Sequence, residues 1–159
     1  EYNGVRQMTK RTDPLNRVTL FQWCKCGDTK SLSDPMGRAT TWRHDVQGRV
    51  TAKEYADGSK VTYHYENTTG RVRQRMDEKL QVTHYYYNRD DTPSGMGHDN
   101  AIVATSAVGL IYEANYKRLT AMTDGTGTTL CGYIPIGATP APGAGQLARE
   151  MAPTLCSDA

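Results

Sequence analysis

The stretch Ser33–Ala56 reads SDPMGRATTWRHDVQGRVTAKEYA and carries the clearest structural signal in the chain. It contains two turn signals, Asp34-Pro35-Met36-Gly37 and Gln47-Gly48, each followed by Thr, Val or aromatic residues. Asp accepts hydrogen bonds from nearby backbone N–H groups, Pro fixes φ, and Gly accepts a positive φ. Because β-branched and aromatic residues favour extended backbone, this stretch predicts consecutive β-hairpins.

The same pattern recurs along the chain, which predicts a repeat protein. Asp13-Pro14 precedes Asp34-Pro35 by 21 residues (34 − 13), further copies start at Ala56 and Met76, and a last copy covers Lys117–Ile136. Such units bury too little alone and need stacked neighbours to form a core. We therefore expect a mainly β fold of consecutive antiparallel β-hairpins that form a curved or spiralling sheet over residues 1–136.

Two regions depart from the repeat. An irregular insertion at about 90–110 begins with Asp90–Ala107, which reads as a Gly-, Asp- and Pro-containing loop followed by an apolar strand-like piece. Residues 137–159 read as a connector rich in Pro, Gly and Ala and a loosely held tail, with one short possible helix at Gly145–Ala152. The chain begins inside a repeat, so we expect a fragment of a longer protein.

Charge and hydropathy exclude two classes of partner. The 19 basic and 17 acidic residues alternate and leave a net charge of +2, so no basic surface predicts nucleic-acid binding. No apolar run reaches the roughly 20 residues of a membrane span, and no signal peptide is visible. Nothing in the sequence predicts a cofactor.

Of the cysteines, Cys24 and Cys26 are the pair that suggests chemistry. One intervening residue is shorter than the spacing of two to four residues that structural zinc sites use. In a strand, both side chains would face the same way, and they would be able to share a metal ion or form a bridge. We favour plain reduced thiols without a functional role for this pair; the other cysteines are Cys131 and Cys156.

Three histidines, His44, His64 and His84, are spaced by 20 residues and invite a metal-site interpretation. Alignment on the preceding Thr places Trp42, Tyr63 and His84 in one column of the repeat. His64 then falls one residue later and His44 two residues later, and a shift of one residue reverses the face of a strand. This alignment predicts no three-histidine site.

Aromatic residues form the most distinctive side-chain pattern. Rings on neighbouring hairpins would stack into a ladder through cross-strand packing. The alternative is a binding surface for sugars or another chain. The candidate binding residues are Trp42, Tyr63, Tyr65, Tyr85 and Tyr86.

Catalysis has one candidate location. Ser94, His98 and Asp99 lie close together in the region that interrupts the repeat, and His84 lies on a nearby aromatic strand. Interruptions are places where a site can be added, which gives a small hydrolase as an alternative function. Triads, however, are normally assembled from separate elements.

Recurring aspartates have a simpler interpretation than catalysis. Each precedes or occupies a predicted turn, where its carboxylate can accept backbone hydrogen bonds. We predict this turn role for Asp13, Asp34, Asp57, Asp77 and Asp124.

The repeated phrases resemble those of the Rhs/YD-repeat family. The family pattern of Gly-Arg-Leu/Val-Thr appears as Gly48-Arg49-Val50-Thr51, as Gly70-Arg71-Val72 and as Arg118-Leu119-Thr120. The match extends from about Gln7 to Ile136. The literal Tyr-Asp pair of the family is absent from these copies.

The resemblance implies a structural role. Proteins of this family build long spiralling β-sheets that wrap into a hollow shell. In toxin systems the shell encloses a C-terminal effector, and in cell-surface relatives it mediates adhesion and contacts carbohydrate. We therefore expect a wall segment of a secreted or cell-surface parent. Its partners would be other repeats, an enclosed effector domain or, through open edge strands, a second copy of itself.

Overall fold

The chain folds entirely into β-strands, turns and irregular connections within the residues described. The structure is a computed structural model that describes residues 1–137 and 142–152. It divides into two compact units, Glu1–Gln81 and Val82–Ala159. The described residues include no helix of the length and hydropathy needed to cross a bilayer.

The first unit holds seven strands whose order in the sheet is their order in the chain. Each strand pairs antiparallel with the next one along the sequence. The strands are β1 (Lys10–Thr12), β2 (Val18–Trp23), β3 (Thr29–Ser33), β4 (Ala39–His44), β5 (Val50–Glu54), β6 (Lys60–Tyr65) and β7 (Val72–Met76).

The second unit repeats this arrangement with six strands. Here too each strand pairs antiparallel with its neighbour in sequence. The strands are β8 (Val82–Tyr87), β9 (Pro93–Asp99), β10 (Val108–Tyr112), β11 (Leu119–Asp124), β12 (Gly127–Tyr133) and β13 (Leu147–Met151). The predicted mainly β fold of consecutive antiparallel hairpins is confirmed.

A five-residue turn joins most of these strands. Its first residue donates a backbone hydrogen bond to the fifth, and its fourth residue donates to the first; Asp34–Arg38 shows both, at 2.9 Å each. The fourth residue has a positive φ, as at Gly37 (78°) and Gly48 (79°), which is why glycine recurs there. Non-glycine residues occupy the same position in three turns: Asn16, Leu80 and Asp91.

Aspartate side chains complete the turns. Asp34 Oδ1 accepts the backbone N–H groups of Met36 and Arg38, both at 2.9 Å, and its Oδ2 accepts Arg38 Nε at 2.6 Å. The Arg38 side chain, assisted by these N–H groups, lowers the pKa of Asp34 below its ordinary value of 3.8. The predicted turn role is confirmed for all five aspartates: Asp13, Asp34, Asp57, Asp77 and Asp124.

Few apolar side chains are fully buried. Among the described residues, Ala52 and Val61 in the first unit and Val82 and Ala121 in the second make up the buried apolar set. Val61 pairs with Lys53, whereas Ala52 is the residue before Lys53 on β5 and therefore points to the other face. Each unit is thus a single layer of sheet with both faces partly open, and it lacks the second layer that usually forms a domain core.

The predicted irregular region at Asp90–Ala107 is wrong where a loop was expected over Pro93–Asp99. Pro93–Asp99 forms β9, which pairs with β8 along its whole length. Its glycines allow close contact: a Cβ on Gly95 would lie 2.4 Å from the Val108 carbonyl oxygen. The irregular connection is therefore Asn100–Ala107, where the apolar strand-like piece was expected.

The possible helix at Gly145–Ala152 is also wrong. Leu147–Met151 forms β13 and pairs with Leu130–Tyr133 of β12. The ladder of β12 supplies hydrogen-bond partners that an isolated eight-residue helix would lack. Of the predicted connector and tail, residues 138–141 and 153–159, including Cys156, lie outside the described residues.

We expect Gly37→Ala to lower the free energy of unfolding by about 1–2 kcal/mol, because a Cβ is strained at positive φ. No atom lies within 4 Å of that Cβ, so the cost would be conformational rather than steric. Gly4→Ala is the matched control, since its Cβ also meets no atom within 4 Å and no positive φ is involved. Urea unfolding measures both, and equal stabilities would contradict the prediction.

We also expect a specific pH dependence from Asp34. Since its pKa is lowered on folding, its stabilisation is fully present above a pH of 3.8 and is lost as the pH falls through the lowered pKa. Urea unfolding at pH values above and below this range should show a smaller acid-induced loss for Asp34→Asn than for the parent chain. An unchanged loss in the variant would contradict this assignment.

Candidate interaction surface

A β-bulge marks the end of the first strand in six hairpins. In each, the register shifts by one residue, as between Arg43 and His44 opposite Ala52 and Val50. The residue directly after the shift, which ends the first strand, is Tyr or Trp in five of these hairpins and His in the sixth, and we call these six equivalent residues the bulge column. These residues are Trp23, His44, Tyr65, Tyr87, Tyr112 and Tyr133.

The residue left over by each bulge lies on the second strand. Thr51 is the extra residue opposite His44, and its Oγ1 donates to the Arg43 carbonyl at 3.2 Å. Thr120 does the same to Ile111 at 3.1 Å. The Thr of the Gly-Arg-Val/Leu-Thr phrase therefore stabilises the bulge.

Rings of the bulge column bind the preceding hairpin through a backbone carbonyl. Trp23 Nε1 donates to the carbonyl of Met8 at 2.7 Å. Tyr65 donates through its hydroxyl to Val50 at 2.7 Å, and Tyr133 donates to Leu119 at 2.8 Å. These bonds use the polar tips of half-buried rings, and they join consecutive repeats.

Arginine lies against the same rings. The Arg49 guanidinium carbon is 4.5 Å from the centre of the Tyr65 ring, and its NH2 is 2.7 Å from Asp45 Oδ2. Partial burial raises the pKa of the Tyr65 hydroxyl and so keeps it a hydrogen-bond donor. Burial also opposes ionisation of Asp45, but the hydrogen bonds from Arg49 lower the pKa of that carboxyl overall. We call this set of contacts the inter-repeat contact.

The second unit contains the same arrangement. Arg118 lies 4.6 Å from the centre of the Tyr133 ring and 4.7 Å from that of Tyr116. Its NH2 is 2.6 Å from Glu113 Oε2. Arg of the Gly-Arg-Val/Leu-Thr phrase therefore pairs with an acidic residue of its own turn and with a ring of the next hairpin.

One face of the first unit forms two adjoining open depressions. The larger, of about 600 Å³, is lined by apolar and aromatic side chains that include Phe21, Trp23 and Leu32. The smaller, of about 280 Å³, is lined by Tyr63, Tyr65 and Val72 among others. Both share Trp42 and Val50. We call this surface the aromatic face: Phe21, Trp23, Leu32, Trp42, Val50, Tyr63, Tyr65 and Val72.

The predicted binding residues divide between the two units. Trp42, Tyr63 and Tyr65 line one depression of the aromatic face. Tyr85 and Tyr86 are successive residues of β8 in the second unit, so they point to opposite faces. Tyr86 is more than half exposed (54%) and stacks with His84 at 6.5 Å between ring centres.

The predicted column of Trp42, Tyr63 and His84 is wrong in its last member. Counted back from the bulge of its own strand, Trp42 and Tyr63 occupy the second residue before the column residue, and on β8 that position is Tyr85. His84 lies one residue further back. The offset between these copies is 22 residues (87 − 65) rather than 21, and this difference shifts every assignment beyond it.

The catalytic candidates are only partly brought together. His84 Nε2 lies 2.8 Å from Asp99 Oδ2 across the β8–β9 pair. Ser94 is five residues from Asp99 along β9, which corresponds to about 17 Å of strand. Ser94 is also the extra residue of its bulge, the position that Thr51 holds in its own hairpin. Among the residues that the structure describes, Ser94 is therefore separated from the pair of His84 and Asp99.

The cysteine pair lies in a turn rather than a strand. Cys24 and Cys26 are joined by a disulfide with their Cα atoms 5.2 Å apart, which lies within the usual span of such bonds. The expectation of reduced thiols is therefore wrong for this pair. The turn curls the backbone and so brings the two Cα atoms closer than the roughly 6.6 Å that separates alternate residues of a strand. Cys131 is a free thiol.

Sequence reasoning missed the arginines of the inter-repeat contact. The available signal was spacing: Arg49 precedes Tyr65 by 16 residues and Arg118 precedes Tyr133 by 15. An arginine at the end of a turn, followed after about one repeat by a ring, would have identified these contacts.

We expect Tyr65→Phe to lower the free energy of unfolding by about 1 kcal/mol, because the Val50 carbonyl loses its hydrogen bond. Tyr63→Phe is the matched control: it lies on the same strand and lines the same depression, but its hydroxyl makes no hydrogen bond within the part of the chain that the structure describes. Chemical unfolding of both variants tests the inter-repeat contact. Equal losses would argue against it.

Comparison with known proteins gives one family and one fold. The model of the RHS Repeat family matches residues 27–60, which include the complete turns Asp34–Arg38 and Asp45–Arg49. No curated protein sequence gives a significant match.

Similar solved structures come from toxin complexes. The Photorhabdus luminescens Tc holotoxin pore matches with a TM-score of 0.62 and 12% identity, over 74% of this chain and 6% of that chain. The TcdB2-TccC3 complex gives 0.63 and 12%, over 73% and 6%. The TcdB2-TccC3-TEV structure gives 0.65 and 14%, over 85% and 8%. The chain therefore spans less than a tenth of the length of these proteins and shares their fold. The family match over residues 27–60 and the shared fold confirm the predicted resemblance to RHS-repeat proteins.

Proposed function

We propose that this chain is a wall segment of a larger RHS-type shell, with a structural and interaction role. The observation that carries the proposal is the aromatic face. It presents Trp42, Tyr63 and Tyr65 on a single-layer sheet whose first unit fully buries only Ala52 and Val61 of its apolar side chains within the described residues. Such a surface gains stability when further protein covers it.

The partners follow from the same geometry. Other repeats of the parent chain would continue the inter-repeat contact beyond this segment, and an enclosed effector domain would face the sheet. Structural similarity to chains of a Tc holotoxin pore supports a secreted or cell-surface parent. More specifically, we propose that the complete shell encloses an effector domain.

The other two predicted functions gain no specific support. For a carbohydrate site, the Lys53 ammonium already lies 5.9 Å from the centre of the Trp42 ring, where a sugar would stack. For a hydrolase, Ser94 is distant from the pair formed by His84 and Asp99. Both stay untested predictions.

We expect the isolated chain to associate through β13. This strand pairs with β12 on one side, and its apolar residues Leu147 (53%) and Met151 (41%) are exposed. An exposed apolar edge strand is a template for pairing with another chain. Light scattering after size exclusion should show a mass above one chain that increases with concentration.

Charge at this edge tests the mechanism. The Leu147→Lys/Met151→Lys variant should shift the mass toward monomer, because charged edge residues oppose strand pairing. Met36→Lys is the matched control, since Met36 is an exposed apolar residue in a turn. A parent chain that stays monomeric at high concentration would contradict the proposed association. Equal effects of the edge variant and of Met36→Lys would contradict it as well.

A further inference from the structure

In four of the hairpins that contain a bulge, side chains at the two ends of the turn bind each other. In three such turns an acidic first residue forms an ion pair with an arginine at the end, at 2.6–2.7 Å. In a fourth, Asn88 Nδ2 donates to Thr92 Oγ1 at 2.9 Å. The ion pairs are Asp45–Arg49, Glu66–Arg71 and Glu113–Arg118.

The turn Cys24–Asp28 breaks this rule. It has the same backbone bonds as the Asp45 turn, with Cys24 N–H donating to the Asp28 carbonyl at 2.9 Å. Its last residue, however, is Asp28 in place of an arginine. The Asp28 carboxylate makes no ion pair with any residue that the structure describes. Two cysteines and a carboxylate thus occupy a position where three of the related turns hold an arginine guanidinium.

The sulfur of Cys24 replaces a carboxylate oxygen in this turn. Cys24 Sγ accepts the backbone N–H groups of Cys26 at 3.1 Å and Asp28 at 3.3 Å. In the related turn, Asp45 Oδ1 accepts the equivalent N–H groups at 2.9 and 3.0 Å. Because these donors stabilise negative charge, the turn is suited to a thiolate at Cys24.

The three potential ligands are already clustered. One ligand atom each from Cys24, Cys26 and Asp28 lies within 4.8 Å of the other two. Bonds of about 2.3 Å from zinc to sulfur and 2.0–2.2 Å from zinc to oxygen place tetrahedral ligands about 3.5–4 Å apart. The cluster is therefore of the size that a tetrahedral ion requires. Two thiolates with one carboxylate favour zinc over calcium or magnesium, which prefer oxygen.

We propose that reduction of the Cys24–Cys26 disulfide converts this turn into a site for a thiophilic divalent cation of the zinc class. Two thiols of a reductant supply two electrons and two protons; the protein S–S bond breaks and the reductant forms its own disulfide. The cation then displaces the two cysteine protons to solvent and binds both sulfurs and Asp28, with water in the fourth position. It occupies the place that Arg49 holds in the next such turn. This inference is independent of the proposed shell function.

Cobalt binding tests the proposal directly. The full chain carrying Cys131→Ser and Cys156→Ser, with the remaining cysteines reduced by a dithiol that is then removed without oxygen, is titrated with Co²⁺. We expect thiolate-to-cobalt charge-transfer absorption that saturates at one ion per chain and disappears when Zn²⁺ is added. The oxidised chain should show none. Absence of this absorption in the reduced chain would overturn the proposal.

Variants identify the ligands. Adding Cys24→Ser and Cys26→Ser should abolish the absorption, and Asp28→Asn should weaken Co²⁺ binding about tenfold or more, since one protein ligand of three is lost. Asp57→Asn, in a different turn, is the control and should bind as the parent does. Circular dichroism confirms that each variant is folded, and Asp28→Ala replaces Asp28→Asn if that variant is not. Binding unchanged by removal of the two cysteines or of Asp28 would overturn the site.

Discussion

The guanidinium of Arg49 lies between the Asp45 carboxylate of its own turn and the Tyr65 ring of the next hairpin, and the structure depends on this kind of contact. Tyr65 in turn donates to the Val50 carbonyl, one residue beyond that arginine. One ion pair, one ring contact and one hydrogen bond therefore hold two consecutive repeats in register. Arg118 makes the same contacts with Glu113 and Tyr133, so this arrangement recurs with the repeat.

This contact explains how a sheet with so little buried apolar surface can be ordered. In a two-layer domain, side chains packed between the layers hold the strands in place. In this single-layer sheet, the strands are held by backbone hydrogen bonds, by the turns and by side-chain contacts between adjacent hairpins. Stability is then close to a sum of intrinsic and nearest-neighbour terms along the chain. The aromatic face stays half-exposed as a consequence, which links the architecture of each repeat to the interaction role proposed for the whole.

Turn chemistry was the part of this fold that the sequence predicted best. Asp34 and Gly37 act within a few residues of each other, so their roles can be inferred from local sequence. The bulges could not be inferred in this way, because a bulge is a property of two strands and the extra residue, such as Thr51, is ordinary by itself. An error of one residue in the repeat offset then placed His84 where Tyr85 lies. β9 was missed for a similar reason. Its glycines are typical of a loop, and the need for them becomes clear only when the close contact of Gly95 with the neighbouring strand is seen.

Knowledge of the repeat changes what an unusual residue means. Ser94 attracts attention as a nucleophile, yet it occupies the bulge position of Thr51, so the architecture accounts for its location. Asp28 does not attract attention, yet it lies where three of the related turns have an arginine, and the repeat architecture does not explain the change. In a repeat protein each residue can be compared with the residues at the same position of the other repeats, because their surroundings are equivalent. A departure that removes a cation and adds two sulfurs therefore carries more chemical information than a serine at the extra position of a bulge, which every hairpin of this kind contains.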